Sequence, residues 1–422
     1  MSDNFHHGPE IIERKSGAGI VRDVKSAVTM IVGTAPVHVA HEAGARSDYI
    51  NKRIVIRSEA DAVAAFGPET AGYTIPQAIK AIFNKVQNGK GGGTIIAVNV
   101  FDPDKHKEGT QPAPEKVTPA QIIGGYDTAG TAYGFTLAHG SYNALGYFPK
   151  ILIAPGFSTH SGIRAAMDVL ANKICAMSIA DLPAGLTVQQ AVEARGTSGE
   201  YNTSSERMIL TYPGVKAYDA TIDGVALQPF SQHLAGVMIA TDLADGYHNS
   251  PSNRAMADVL GMERDISFYP GDPQSQTNDL NGAGIVTMMN SFGTGFRTWG
   301  NRSAAFPTSI TQHNFINARR VLDMIHESAL YYLLARTDGL GSRNGLDQVE
   351  EDVNAFLRKK IGDDVLYGGR FFFDRDKTTS RDVADGHYYY HLDCQPMGIM
   401  ERLTVDSFLD ISFAKEALGL AE

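Results

Sequence analysis

Cysteine is nearly missing from this chain: 422 residues hold only Cys175 and Cys394. Two thiols so far apart in sequence give neither a disulfide framework nor the ligand spacing of a zinc site, and they suit a reducing compartment. Long apolar runs are lacking too. Nothing approaches the ~18 consecutive apolar residues of a membrane span, and the opening MSDNFHHGPE has no basic-then-apolar signal pattern, so neither membrane insertion nor signal-peptide export is expected. A formal net charge of -10 argues against nucleic acid as a partner. Phosphate-loop and dinucleotide fingerprints are absent, because the glycines of NGKGGGTII precede a strand instead of joining strand to helix. No cofactor is therefore expected. Tryptophan occurs once, as Trp299 in GFRTWGNRSAA, among glycine, arginine and asparagine.

The residues that are present describe a folded chain, with 43% hydrophobic and 20% charged. Its length exceeds one ordinary core, so more than one domain is expected. Near the start, PEIIER between Pro9 and the Gly17 to Gly19 pair reads as a lone strand on an arm, which needs a sheet of its own chain or of a neighbour. From Ser26 onward, strand and helix signals alternate. SAVTMIVG, TIIAVNV, KILIAP, ICAMSIA and RMILTYP read as strands. Between them SEADAVAAFG has Ser58 and Asp61 as its start signal, TPAQIIGG has Thr118 with Gln121, and TVQQAVEARG has Thr187 with Gln190. Strands and helices at this spacing predict a largely parallel sheet covered by helices. DPDKHKEGTQPAPEKV reads as a solvated loop. Later the pattern becomes α+β: a helix over FSQHLAGVMIATDLADG, two strands around the glycine turn before Trp299, and a long amphipathic helix through Phe315, Ala318, Leu322, Ile325, Ala329 and Tyr332. Arg319 and Arg320 on that helix read as surface charges, and a second helix ends in Arg358, Lys359 and Lys360. GHYYYHLD and IMERLTVDSFLDISF both read as strands.

Three constellations hold residue types that can carry chemistry. His387 and His391 in HYYYH lie four apart on a strand with no third ligand, which favours an aromatic ladder over a metal. His106 among the acids of FDPDKHKEG reads as part of a hydrated loop, not a metal site. Asp127, His139 and Ser198 follow the chain order of subtilisin-type hydrolases, in which a carboxylate orients an imidazole that deprotonates a serine. Their crowding in sequence and the loose, polar setting of Ser198 favour loop and cap roles. No catalytic residue is expected, and a serine hydrolase is the alternative to test.

Taken together, HGPEIIE, SAVTMIVGTAP, SEADAVAAFG, ILIAPGFS, HLAGVMIATDLADGYHNSPSNRAM, LNGAGIVTMMNSFGTGFRTWGNRS and FINARRVLDMIHESALYY resemble the contractile tail sheath proteins of myovirus-type phages, a family shared with pyocin-like bacteriocins. The motifs run in the family's order over most of the chain. The resemblance implies a fold of α/β plus α+β: a central subtilisin-like α/β domain without catalysis, and a conserved C-terminal α+β inner domain with exchanged terminal strands. It implies residues 1–24 as a linker arm, 25–212 as the α/β domain with an outer insertion near 102–149, and 213–422 as the inner domain. Glu10, Ile11, Ile12 and Glu13, with Leu403, Val405, Phe408 and Leu409, are the expected strand-exchange residues. Trp299 and Arg302 are expected as structural anchors. Arg358, Lys359 and Lys360 are candidates for facing the tube, with favourable helix-end charges as the other reading. The implied function is polymerisation as hexameric rings around a tail tube, followed by one-way contraction that drives the tube through the host envelope. Implied partners are the chain itself, the tube protein, and baseplate and tail terminator proteins, in a virion tail assembled in the host cytoplasm. Type VI secretion sheaths share the mechanics but divide the sheath between two chains and carry a recognition site for a disassembly ATPase.

Overall fold

The structure is a computed structural model that describes residues 21–86, 93–291 and 293–419. Glu10 to Glu13 lie outside the described residues. The strands β1 (Val28–Gly33), β2 (Ile54–Ile56), β3 (Thr94–Asn99), β4 (Ile151–Ile153), β5 (Met177–Asp181), β6 (Met208–Thr211), β10 (Ile285–Ser291) and β11 (Gly295–Trp299) form one sheet in the order β11-β10-β6-β5-β4-β1-β3-β2. The six inner strands are parallel. The outermost, β2 and β11, run antiparallel to their neighbours.

Both faces of this sheet are covered, which explains the near-continuous apolar runs of its strands. Along β1, Ile31 points to one face and Met30 and Val32 to the other, as the period of two requires. Ile31 joins Ile79 and Ile82 of α2 (Thr74–Val86) and Leu234 and Met238 of α6 (Phe230–Ala244). Met30 and Val32 pack with Met167 and Leu170 of α4 (Ser161–Ile174). Farther along that second face, Leu210 and Ile285 meet Val188 and Ala191 of α5 (Val188–Ala194) and Leu280 of α7 (Gln276–Gly282). The cap signals act as their spacing implies. Ser58 Oγ accepts from Asp61 N at 3.1 Å before α1 (Glu59–Phe66), and full capping boxes open α3 (Pro119–Ile123) and α5.

The boundary expected at 212/213 falls between strands of this one sheet, since β6 pairs with β10. What interrupts the sequence alternation there is a small antiparallel sheet of β7 (Val215–Asp219), β8 (Gly224–Gln228) and β9 (Val259–Met262), inserted between two members of the main sheet. Residues 102–149, expected as an outer insertion, supply core: Val117, Ile122, Phe135 and Leu137 are buried with β1 and β3. His106 is likewise buried. It stacks on Phe101 and its Nε2 lies 2.8 Å from Gln121 Nε2, so the hydrated loop expected there is corrected.

A second apolar centre joins Met324 and Ile325 of α8 (Ile316–Leu334), Val353, Phe356 and Leu357 of α9 (Arg343–Gly362), and the hairpin of β12 (Leu366–Phe373) with β13 (Tyr390–Pro396). Charge binds α8 to the main sheet. Lys150, just before β4, pairs with Glu327. Arg207, just before β6, reaches Asp323 at 2.6 Å, and Arg319 reaches the same carboxylate at 2.8 Å. Arg320 grips Asp242 of α6 at 2.7 and 2.5 Å. Arg319 and Arg320, expected at the surface, are thus buried and paired. Burying such ions is tolerable only because each has a counter-ion in hydrogen-bond range.

Candidate assembly surfaces

Trp299 ends β11 with its ring half-buried and edge-on to Phe268 at 5.4 Å. Asn281, its amide oxygen turned to the indole, accepts from Trp299 Nε1 at 3.2 Å and donates to the carbonyls of Ile285 and Trp299 at 3.0 and 3.1 Å. Gly300 follows at φ +127°, where a Cβ would come within 2.6 Å of the Asn281 amide, so the turn admits only glycine. Trp299 and Asn281 therefore lock β11 to α7.

Three residues on, the Arg302 guanidinium lies between the rings of Phe306 and Phe315, 4.3 Å from each centroid. Its Nη1 donates to the buried Asn314 at 3.0 Å. The remaining edge faces outward and holds Glu401 in two bonds, at 2.8 and 2.5 Å.

Glu401 belongs to the C-terminal arm. Residues 399–410 have no strand or helix, and the short helix α10 (Ser412–Leu418) closes the described chain. This corrects the strand expected over IMERLTVDSFLDISF: an isolated strand has no partner for its backbone groups and does not form alone. Leu403, Val405, Phe408 and Leu409 are all at least three-quarters exposed, and Met400, Ile411, Phe413 and Leu418 are exposed as well. Eight large apolar side chains on one unpartnered segment are an anomaly for a monomer, since exposed apolar groups are ordinarily scattered.

The basic end of α9 divides. Arg358 is exposed and pairs with Glu351 at 2.5 Å, and Lys359 is exposed. Lys360 is buried: it bonds Asp23 at 2.7 Å beneath Tyr247 and Phe356. It cannot meet a partner without breaking that pair, so it drops out of the tube-facing set.

Asp127, His139 and Ser198 are each exposed, and no hydrogen bond joins any two of them among the described residues. Asp127 instead closes its own turn through the amides of Ala129 and Thr131. The carboxylate at the C-terminal end of the parallel strands, where α/β sheets ordinarily bind ligands, is Asp181. It is fully enclosed, accepting from Ser158 Oγ at 3.0 Å, Thr211 Oγ1 at 2.9 Å, and Ser231 Oγ and N at 2.5 and 2.7 Å. Burial pushes its carboxyl above the usual aspartate range against the pull of those donors. Sequence reasoning missed this node, although Ser231 at the second position of a helix was a visible donor. Its four parts come from four elements, and spacing shows none of that.

Among known families, residues 130–304 match the phage tail sheath protein central domain. The tail sheath protein of Burkholderia phage BcepMu is 34% identical, covering 96% of this chain and 97% of that protein. A putative prophage major tail sheath protein of Pseudomonas aeruginosa is 27% identical over 92% of each. Among solved structures, the sheath complex of the PVC extracellular contractile injection system, in its contracted state, superposes with a TM-score of 0.67 at 18% identity, covering 98% of this chain and 100% of that one.

Proposed function

Because this chain belongs to the phage tail sheath proteins and is a structural subunit of a contractile sheath, we propose that its subunits are linked by exchanged terminal arms into hexameric rings stacked around a tail tube. The observation that carries this reading is the arm from Met400 onward, whose eight large apolar side chains stay exposed and pair with no strand among the described residues. Strand addition suits it, since main-chain bonds give strength while a flexible connection lets the joined bodies turn. The hairpin β12/β13 is a natural receiver on its β13 side: it has only two strands, and while Phe371 and Phe373 of β12 already bond Asn354 and Glu350 of α9, no third strand lies along β13 among the described residues. Residues 10–13 are the matching segment at the other end of the chain.

Contraction then needs no catalysis. Subunits held by their arms slide from a metastable extended lattice into a shorter, wider one with better-buried contacts. Asp181 is sealed and the Asp127, His139, Ser198 set is dispersed, so no residue is assigned to chemistry and the central sheet serves as a non-catalytic, subtilisin-like scaffold. Arg358 and Lys359 stay as the tube-facing candidates, where exposed charge pairs of ~0.2–1 kcal/mol each release in series. The tube, baseplate and terminator proteins are the partners, and the extended sheath assembles in the host cytoplasm as part of the virion tail.

Negative-stain electron microscopy of the purified chain over a concentration series tests this, alongside truncations lacking residues 1–20 or 402–422. Striated hollow tubes or stacked rings from the intact chain, shortened or lost in both truncations, are expected. Small uniform particles at every concentration would sink self-assembly.

A further inference from the structure

The arm does not hang from the end of β13. Met397 N donates to Val365 O at 3.1 Å, Gln312 donates to the Pro396 carbonyl at 3.1 Å, and four residues later Glu401 is held by Arg302. The chain is thus pinned at two points before it becomes free at Arg402.

We propose that Arg302 is a prebuilt carboxylate socket that grips Glu401 and fixes where the C-terminal arm leaves the subunit. Three features separate it from an incidental surface pair, whose effect is commonly negligible. The guanidinium is only partly exposed and packs 4.3 Å from the ring centroids of both Phe306 and Phe315, so its rotamers are restricted before any carboxylate arrives. Asn314, fully buried, occupies Nη1 and sets the rotation of the plane. The outward edge presents Nε and Nη2 as a fork that matches one carboxylate. A lysine supplies charge there but no fork.

The consequence follows from tether geometry. An extended chain advances roughly 3.3–3.6 Å per residue, so releasing residues 398–401 lengthens the tether by roughly 14 Å and removes its fixed direction. The effective concentration of Leu403 to Phe413 at a neighbour's sheet edge falls accordingly. This inference rests on the arm-exchange reading, and its test separates the two.

The full-length chain, with Glu401→Gln and Arg302→Lys, is digested briefly with trypsin, following cleavage after Arg402 against cleavage after the exposed Lys105 as internal control. Each variant is also assembled over a concentration series. Expected are roughly 3- to 10-fold faster cleavage after Arg402 in both variants, with Lys105 unchanged, and a comparable rise in the concentration at which tubes appear. Glu401→Asp, which keeps the charge, is expected to fall between. Unchanged cleavage after Arg402 would overturn the socket, whatever happens to assembly. Faster cleavage with unchanged assembly, while deletion of 402–422 abolishes tubes, would also overturn it and leave arm exchange standing. Normal assembly of the deletion variant would instead defeat arm exchange itself, and the socket's role with it.

Discussion

Arg320 and Asp242 are buried to 3% and 0% exposure and pair with each other across two helices. Removing one partner leaves an uncompensated ion in an apolar setting, so Arg320→Ala is expected to cost ~3–5 kcal/mol, read from urea unfolding of the chain. Replacing both, as Arg320→Met with Asp242→Leu, should recover most of that loss, because no charge is left to solvate. Asp181 permits a sharper test. Its carboxyl is raised by burial, so the proton binds more tightly folded than unfolded. The stability it contributes is then complete below the unfolded aspartate value and is lost as pH rises through the higher folded value. Melting temperatures of wild type and Asp181→Asn across pH should therefore diverge, with wild type falling relative to the variant through that window. Parallel curves would mean that folding leaves the proton affinity of this carboxyl unchanged. These sites also mark the limit of sequence reading. Trp299 is expected as an anchor only through the family resemblance, and Asn281, which accepts from its indole N–H, lies in another element. Arg319 has Asp323 four residues on along its own helix, a spacing that sequence shows, whereas Asp242 meets Arg320 only when α6 and α8 cross.

At the scale of elements, local signals were legible wherever local physics decides. Ser58, Thr118 and Thr187 cap the helices they were expected to cap, and the apolar strands form the parallel sheet. Two elements misled. The pattern after β6 suggested a new domain, yet β10 and β11 return to the same sheet. Nothing in a strand's own residues says which sheet it will join. The arm has a strand's alternation in Leu403 and Val405 but no strand, because it pairs with no other strand among the described residues. That distinction yields a prediction. Val405→Pro removes a ladder donor at a position that touches no core, so it should leave the melting temperature of the soluble subunit unchanged. Tube formation should fail or shift to much higher concentration, as electron microscopy would show. A proline tolerated in full-length tubes would argue that the arm docks through side chains alone and does not add as a strand.

For the whole molecule, the contrast is between a body closed on itself and an arm open to others. The main sheet is packed on both faces, and α8 is tied to it through Lys150–Glu327, Arg207–Asp323 and Arg320–Asp242. Such a body should move as one piece when a lattice rearranges, since separating α8 from the sheet would strand several buried ions at once. The compliance needed for contraction must then lie in the connections. Hydrogen exchange read by mass spectrometry tests the division, comparing soluble subunits, extended sheath and contracted sheath. Amides of β1, β4, β5 and β6 should exchange equally slowly in all three, as should those of α8. Residues 402–411 should pass from unprotected to protected on assembly, in step with the outer edge of β13. That protection should survive contraction, because subunits that keep their arms engaged can turn without separating. Loss of arm protection in the contracted state would mean that the lattice re-forms from released subunits. Altered exchange in α8 would place the moving joint inside the body instead.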